Sequence, residues 1–146
     1  DCKEHICSDA LEAVVEANTL LSGIGFESGG LAAAHGVAQA LTVLPHVEEE
    51  FMHGEMVAVG LVTMLLLEND SEEALRVMNF CASVGLPHSY DHLRVDLADV
   101  DNVTKVTSAA LAQWFTHNEP IVVDHENLLM SMVAVNELAK QFPVPG

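Results

Sequence analysis

Residues 25–60 decide the fold of this 146-residue chain, and they read GFESGGLAAAHGVAQALTVLPHVEEEFMHGEMVAVG. His35 and His53 stand among small residues, and Pro45 lies between them. In one continuous helix the two imidazoles would lie about 27 Å apart, because each residue adds about 1.5 Å. Pro45 disfavours that helix, since an interior proline removes a backbone hydrogen bond. A helix, a turn and a second helix would instead bring His35 and His53 together, as a metal ion between two helices requires.

The composition favours an all-helical core. Half of the residues are hydrophobic, but only five Phe, one Trp and one Tyr are aromatic, so the core is aliphatic. Ala, Leu and Val at this density, with few Gly or Pro inside the apolar runs, are typical of helices. The chain has about the length of one domain and can bury a core. We therefore predict an all-α fold, with a single domain over residues 1–146 built as a bundle of about six helices.

Charge and cysteine content argue against several classes of partner. The formal net charge is −17 and the chain carries only five Lys and Arg in total, which disfavours a phosphate backbone and an anionic membrane surface. The most apolar run, residues 56–67, is shorter than the roughly 20 residues that cross a bilayer. Three cysteines without a signal-peptide pattern fit a reducing compartment. We expect a cytoplasmic protein that binds neither nucleic acid nor membrane.

Apolar periodicity and capping residues predict where the helices lie. Ser8 should cap the first helix, which is expected to end near residues 22–25, where two glycines loosen the backbone. The glycines from Gly23 to Gly30 do not have the dinucleotide-fingerprint spacing and follow a helix rather than a strand, so they predict a tight helix–helix link. The later helices are expected at about 31–42, 53–70, 71–85, 101–115 and 124–141.

Polar segments outside these helices are predicted to face solvent. The run Glu48-Glu49-Glu50 reads as a solvated loop, and His46 beside it reads as exposed rather than as a ligand. His88 and His92 are surrounded by Ser, Tyr and Asp and are also expected to face solvent.

The residues alone leave a metal site at His35 and His53 incomplete. A catalytic zinc site normally takes three protein ligands and keeps one open position. Glu27 and Glu55 are candidates for the third ligand, and Glu55 could instead orient a ligand from the second shell of the site. A single buried histidine is more usually a hydrogen-bonded core residue. Two histidines on the two arms of a helical hairpin strengthen the metal interpretation.

Three blocks of the sequence resemble the glycerol dehydrogenases, a branch of the metal-dependent, so-called iron-containing alcohol dehydrogenases. The blocks are EANTLLSG at 16–23, GFESGGLAAAH at 25–35 and HGE at 53–55. Weaker similarity continues from residues 84–87 to the last helix, so the resemblance covers nearly the whole chain. It implies a two-domain enzyme with an N-terminal NAD-binding α/β domain. This chain resembles most of the C-terminal helical domain, and the NAD-binding domain is absent from it.

The resemblance also implies a set of functional residues. In the family one aspartate and two histidines hold a zinc ion, with Fe²⁺ as the alternative metal, and the histidines fall on His35 and His53. The aspartate has no counterpart in this chain. Phe26 falls on a position that lines the glycerol pocket and is the expected substrate-binding residue.

The implied reaction is NAD-dependent oxidation of glycerol or a related vicinal diol, with the metal polarising the substrate hydroxyl. NAD would be bound mainly by the missing domain, so the isolated chain should be inactive. The full-length enzyme is expected to be a homo-oligomer.

Three positions depart from the family pattern. Ala38 and Gln39 stand where the family usually has histidine and asparagine, and Met56 stands where lysine is common. The changes at Ala38 and Gln39, together with the missing aspartate and nucleotide domain, support an alternative function. In that alternative the chain is a helical interaction or assembly domain that retains the fold without the chemistry.

Overall fold

The structure, a computed structural model, describes residues 2–143. Its regular secondary structure within that range is entirely helical, so the all-α prediction is confirmed. The chain divides into two compact units, Asp1–Gly30 and Leu31–Gly146. The assignment of residues 1–146 to one domain stays a prediction. No helix among the described residues is long and apolar enough to cross a membrane.

The first unit contains two α-helices joined without a break. A short 3₁₀ turn, Cys2–Glu4, precedes α1 (Asp9–Glu16), a π-helical segment (Ala17–Leu21) and α2 (Ser22–Gly29). The Ser8 hydroxyl accepts a hydrogen bond from the Leu11 amide at 3.3 Å, which confirms the predicted cap.

The predicted end of the first helix near residues 22–25, and the predicted link over the glycines, are wrong. Gly23 and Gly25 lie inside α2. A glycine costs a helix about 1 kcal/mol relative to alanine but keeps its backbone amide and carbonyl in the hydrogen-bond pattern. The chain leaves the helix only at Gly30, where φ is 76° and a side chain would be strained.

The second unit contains the remaining helices. They are α3 (Ala33–Leu41), α4 (Pro45–Glu50), α5 (His53–Leu67), α6 (Ser71–Val84), α7 (Val100–Leu111), a 3₁₀ turn (Trp114–His117) and α8 (His125–Ala139). The five later helices predicted from the sequence are therefore present, and each is shorter than expected. The acidic run 48–50 is exposed as predicted, but it is helical rather than a loop. Pro45 explains this, because proline is well suited to the first position of a helix.

Helix α5 lies at the centre of the second unit and packs against α3, α6 and α8. Val59 and Val62 of α5 are fully buried, as are Leu41 of α3, Met78 of α6 and Met132 of α8. This position agrees with the nearly uniform hydrophobicity of α5, since a helix that is apolar all round must be covered all round. The aliphatic core therefore fixes the helix that begins at His53.

The prediction that His88 and His92 face solvent is wrong. His88 is completely buried, with its Nδ1 atom 3.0 Å from the Leu86 carbonyl oxygen and its Nε2 atom 2.9 Å from the Phe142 carbonyl oxygen. His92 is half-buried, and its Nδ1 atom accepts the His88 amide at 3.4 Å. A backbone carbonyl oxygen lies beside each ring nitrogen of His88, so the buried ring has a hydrogen-bond acceptor at hand, and polar neighbours in sequence did not indicate exposure.

Candidate metal centre

His35 and His53 meet in the second unit, one in the first turn of α3 and the other at the start of α5. Their ring centroids are 5.7 Å apart and the ring planes are inclined by 43°. Zinc binds imidazole nitrogen at about 2.0–2.1 Å. Two imidazole rings that bind one zinc ion therefore have their centroids at a separation comparable to the one between His35 and His53. The approach that the hairpin interpretation predicted is present.

A close contact between the backbones of α3 and α5 makes this approach possible. A Cβ atom added to Gly60 would lie 2.1 Å from the Ala34 carbonyl oxygen, well inside van der Waals contact. Ala34, whose carbonyl oxygen makes this contact, is buried and carries only a methyl side chain. The small residues of the two helices therefore allow a side chain as large as His35 to face His53.

Partners distant in sequence hold the first turn of α3. Ala32, the residue before the helix, provides no side-chain cap. Instead, the Ala33 amide donates a hydrogen bond to Glu119 Oε1 at 2.7 Å, and Asn118 Nδ2 donates to the Leu31 carbonyl oxygen at 2.8 Å. The sequence analysis missed both residues, because a contact across more than eighty positions leaves no periodic signal.

The first turn of α5 is held locally. The Met52 amide donates to Glu55 Oε2 at 2.7 Å, which satisfies one of the amides that a helix start leaves unpaired. Glu55 is thus committed to the backbone of its own helix. The proximity of Glu55 to His53 in sequence was the available signal for a supporting role.

Arg94 holds the segment that leads into α5. Its guanidinium group pairs with Glu50 and lies over the Phe51 ring, 5.5 Å from the ring centroid. His46 Nε2 lies 3.1 Å from the Arg94 carbonyl oxygen, so the His46 ring has a backbone partner and is half-buried rather than exposed. Arg94 itself has a φ of 56°, a conformation that surrounding contacts must maintain.

The electrostatic environment favours a neutral His35. Burial lowers the pKa of His35, and the neighbouring His53 lowers it further. A neutral imidazole is the form that binds a metal ion, so this shift keeps His35 ready for coordination near neutral pH. His35 is half-buried while His53 is exposed, which leaves the centre open on one side.

The donor set is partial. Across residues 2–143, no group of three His, Cys, Asp or Glu side chains is arranged to hold a metal ion. Of the candidate third ligands, Glu55 caps α5, and Glu27 lies in the first unit. Two imidazoles on separate helices fit two positions of a zinc site, and the described side chains do not complete a third.

The other residues singled out from the sequence have different surroundings. Phe26 lies on α2 in the first unit with an exposed ring, and its role in substrate binding stays a prediction. Ala38 and Met56 are buried in the core, whereas Gln39 is exposed. The apolar residues at 38 and 56 therefore serve packing in this chain, where a charged side chain would need a partner.

The described residues form an all-helical fold in which two histidines approach each other between two helices. Comparison with known proteins shows which of them this chain is similar to. No protein-family model matches the chain. It is 39% identical over 140 residues to the glycerol dehydrogenase of Thermotoga maritima, covering 94% of this chain and 38% of that protein. It is 41% identical over 140 residues to the glycerol dehydrogenase of Citrobacter freundii, with the same coverage of 94% and 38%.

A solved structure shares the fold. The crystal structure of a probable glycerol dehydrogenase from Sinorhizobium meliloti 1021 superimposes with a TM-score of 0.87 at 35% identity, covering 97% of this chain and 40% of that one. The chain is thus a homologue of the glycerol dehydrogenases, and it resembles their C-terminal helical domain. It spans about two-fifths of the length of the curated relatives it matches, at 38% for each of the two described.

Proposed function

We propose that this chain is the helical, metal-carrying part of a zinc-dependent glycerol dehydrogenase that oxidises glycerol or a related vicinal diol with NAD. The observation that carries the proposal is the pair of imidazoles, 5.7 Å apart on α3 and α5. The pair belongs to a chain whose relatives are named glycerol dehydrogenases.

His35 and His53 would supply two ligands of the ion, with Zn²⁺ as the preferred metal and Fe²⁺ as the alternative. Nitrogen ligands suit both metals. The bound ion would polarise the substrate hydroxyl as a Lewis acid, and the nicotinamide of NAD, bound mainly outside this chain, would accept the hydride.

In this proposal the residues of the chain bind the metal ion and the substrate and orient the two histidines. The contact of Gly60 with Ala34 sets the spacing of the two helices, and burial lowers the pKa of His35, which favours the neutral imidazole. The Phe26 ring would contact the carbon chain of the polyol.

For the complete enzyme we further propose a homo-oligomer in the cytoplasm. Exposed apolar side chains in the second unit support an oligomer, among them Val100, Val122 and Met130, which are 74%, 82% and 66% exposed. Contiguous exposed apolar patches mark contacts between proteins, and Val122 and Met130 line the same surface cleft.

The test uses the full-length protein that contains this sequence, purified without metal and then loaded with Zn²⁺. We expect metal-dependent oxidation of glycerol or another vicinal diol, followed through NADH absorbance. His35→Ala and His53→Ala should each abolish metal binding and turnover, whereas His125→Ala, at an exposed position on α8, should change neither. Loaded wild-type protein that oxidises no vicinal diol would show the proposal to be wrong.

The 146-residue chain alone provides a second arm of the test. It should show no turnover with NAD and glycerol, because the nicotinamide site lies mainly elsewhere. A chain that is folded and self-associating but binds no Zn²⁺ would favour the interaction or assembly domain instead.

A further inference from the structure

We infer that Glu119 is a positioning residue for the metal centre, because its carboxylate fixes the first turn of α3 and with it the imidazole of His35. The inference rests on the proposed function, since it concerns a proposed metal ligand. Glu119 acts through the backbone and does not touch the ion.

The start of α3 depends on Glu119 because no nearer group satisfies its amide. Ala33, the first residue of the helix, is completely buried, and Ala32 offers no side-chain cap. Water therefore has no access to the Ala33 amide, and Glu119 Oε1 accepts its hydrogen bond at 2.7 Å. A buried amide without a partner is costly, so the helix start follows the carboxylate.

The segment that carries Glu119 also contacts α3 on the other side of His35. Thr116 packs so tightly against Gly36 that a Cβ atom there would lie 1.9 Å from Thr116 Oγ1. Thr116 Oγ1 in turn donates to the Ala110 carbonyl oxygen at 2.7 Å, which ties the segment to α7. The contacts at Ala33 and Gly36 thus bracket His35 along the chain.

These contacts reach the imidazole through rigid backbone. The His35 amide donates to the Ala32 carbonyl oxygen at 3.1 Å, so His35 belongs to the same helical turn that Glu119 holds. A shift of that turn moves the His35 ring relative to His53, which starts a different helix. Residues that orient metal ligands from outside the coordination sphere typically change metal affinity by about 10–100-fold when they are removed.

Two substitutions separate positioning from charge. Glu119→Gln removes the charge but keeps a side-chain oxygen that can accept the Ala33 amide, whereas Glu119→Ala removes the acceptor. Glu49→Ala, at an exposed position on α4, is the matched control for loss of a carboxylate.

The experiment measures two properties of each variant of the chain by NMR. The first is hydrogen exchange at the Ala33 amide, without metal. The second is the affinity for Zn²⁺, from titration of the His35 and His53 ring signals. We expect Glu119→Ala to speed exchange at Ala33 and to weaken Zn²⁺ binding by about tenfold. Glu119→Gln and Glu49→Ala should stay close to wild type in both.

Two results would overturn the inference. One is a Glu119→Ala chain that behaves like Glu49→Ala in both measurements. The other is Zn²⁺ binding that weakens equally in Glu119→Gln and Glu119→Ala with exchange at Ala33 unchanged, which would mean that Glu119 acts through its charge or as a ligand.

A separate outcome identifies failure of the proposed function. If the wild-type chain binds no Zn²⁺, the proposed function is wrong about the metal. The inference about Glu119 is then tested by measurements on the metal-free chain. Faster exchange at Ala33 and loss of the nuclear Overhauser effect between the His35 and His53 rings in Glu119→Ala, but not in Glu119→Gln, would support it. An unchanged effect between the rings would refute it.

Discussion

Helices α3 and α5 each carry a histidine in the first turn, but different parts of the chain satisfy the amides at their starts. At α5 the Met52 amide bonds to Glu55, three residues later, within the same first turn. At α3 the Ala33 amide bonds to Glu119, 86 residues away. His53 is also exposed, whereas His35 is half-buried.

The start of α5 is therefore stabilised by a local hydrogen bond, and the start of α3 by a tertiary one. A cap within the first turn can form as soon as the helix does, and it resists only local fraying. The cap on α3 exists only when α7 and the segment after it have packed. The position of His35 therefore depends on the whole second unit, and perturbing that packing should affect α3 more than α5.

The largest effect is expected where α5 touches α3. Gly60→Ala would place a methyl group against the Ala34 carbonyl oxygen, at 2.1 Å before relaxation, and the backbone atoms there cannot rotate away. We expect the free energy of unfolding to fall by about 3 kcal/mol, the upper end of the usual overpacking cost. Urea denaturation followed by circular dichroism measures it.

Gly54→Ala is the matched control for that prediction. Gly54 lies in the first turn of the same helix, and a Cβ atom there would have no atom within 4 Å. The substitution should leave stability unchanged or raise it by about 0.5–1 kcal/mol, as alanine does in place of glycine inside a helix. Equal losses for the two glycines would argue against the close approach of α3 and α5.

A somewhat smaller loss is expected on the opposite side of α3. Gly36→Ala should cost about 2 kcal/mol, because the new methyl group meets the Thr116 side chain rather than backbone. Thr116→Ala should recover part of that loss, which a double-mutant cycle would reveal as a favourable coupling energy. If the stability changes of Gly36→Ala and Thr116→Ala are strictly additive, Thr116 does not contact Gly36 of α3.

The two caps themselves give the most direct contrast. Glu119→Ala leaves the buried Ala33 amide without a partner and should lower the free energy of unfolding by about 1–2 kcal/mol. Glu55→Ala releases the amide of exposed Met52, which water can solvate, and should cost about 0.5–1 kcal/mol. The same denaturation measurement compares them, and a larger loss for Glu55→Ala would reverse the comparison.

The smallest effect is a pH dependence of stability. Burial raises the pKa of Glu119, and the nearby Glu68 carboxyl raises it further against the lowering effect of the Ala33 amide. A raised pKa means that the folded chain holds the proton more tightly than the unfolded chain, whose glutamates titrate near about 4.3. The resulting stabilisation is complete below about pH 4.3 and is lost as the pH rises through the raised pKa.

Glu119→Gln removes this titration and tests it directly. The stability of the wild type relative to Glu119→Gln should therefore decrease as the pH rises from about 4 towards neutrality. Thermal unfolding of both chains over that range measures the difference. A difference that is constant or grows with pH would contradict the assigned sign.

The parts of the fold that local patterns determine could be predicted from the sequence. The continuous apolar character of α5 fits its central position, and the helix expected at about 71–85 ends at Gly85, which is left-handed with a φ of 76°. The errors came from residue types that can either interrupt a helix or belong to one. Glycine was read as a helix end but lies inside α2, and Pro45 was read as a break but begins α4.

The candidate site divides in the same way. The small residues around His35 and His53 predicted their approach, because close helix packing leaves a local composition signal. Glu119 left none, since its partner Ala33 is far away in sequence. The burial of His88 was missed for a similar reason. One of the carbonyl oxygens beside its ring belongs to Phe142, which is 54 positions away in sequence.

The central claim is that α3 and α5 hold His35 and His53 as joint ligands of one metal ion. Titration of the chain with Zn²⁺, followed through the ring signals of every histidine, tests it most directly. The account predicts that the His35 and His53 signals shift together and saturate at the same Zn²⁺ concentration, while those of His88 and His125 stay in place. Independent shifts of His35 and His53, or no shift of either, would contradict it.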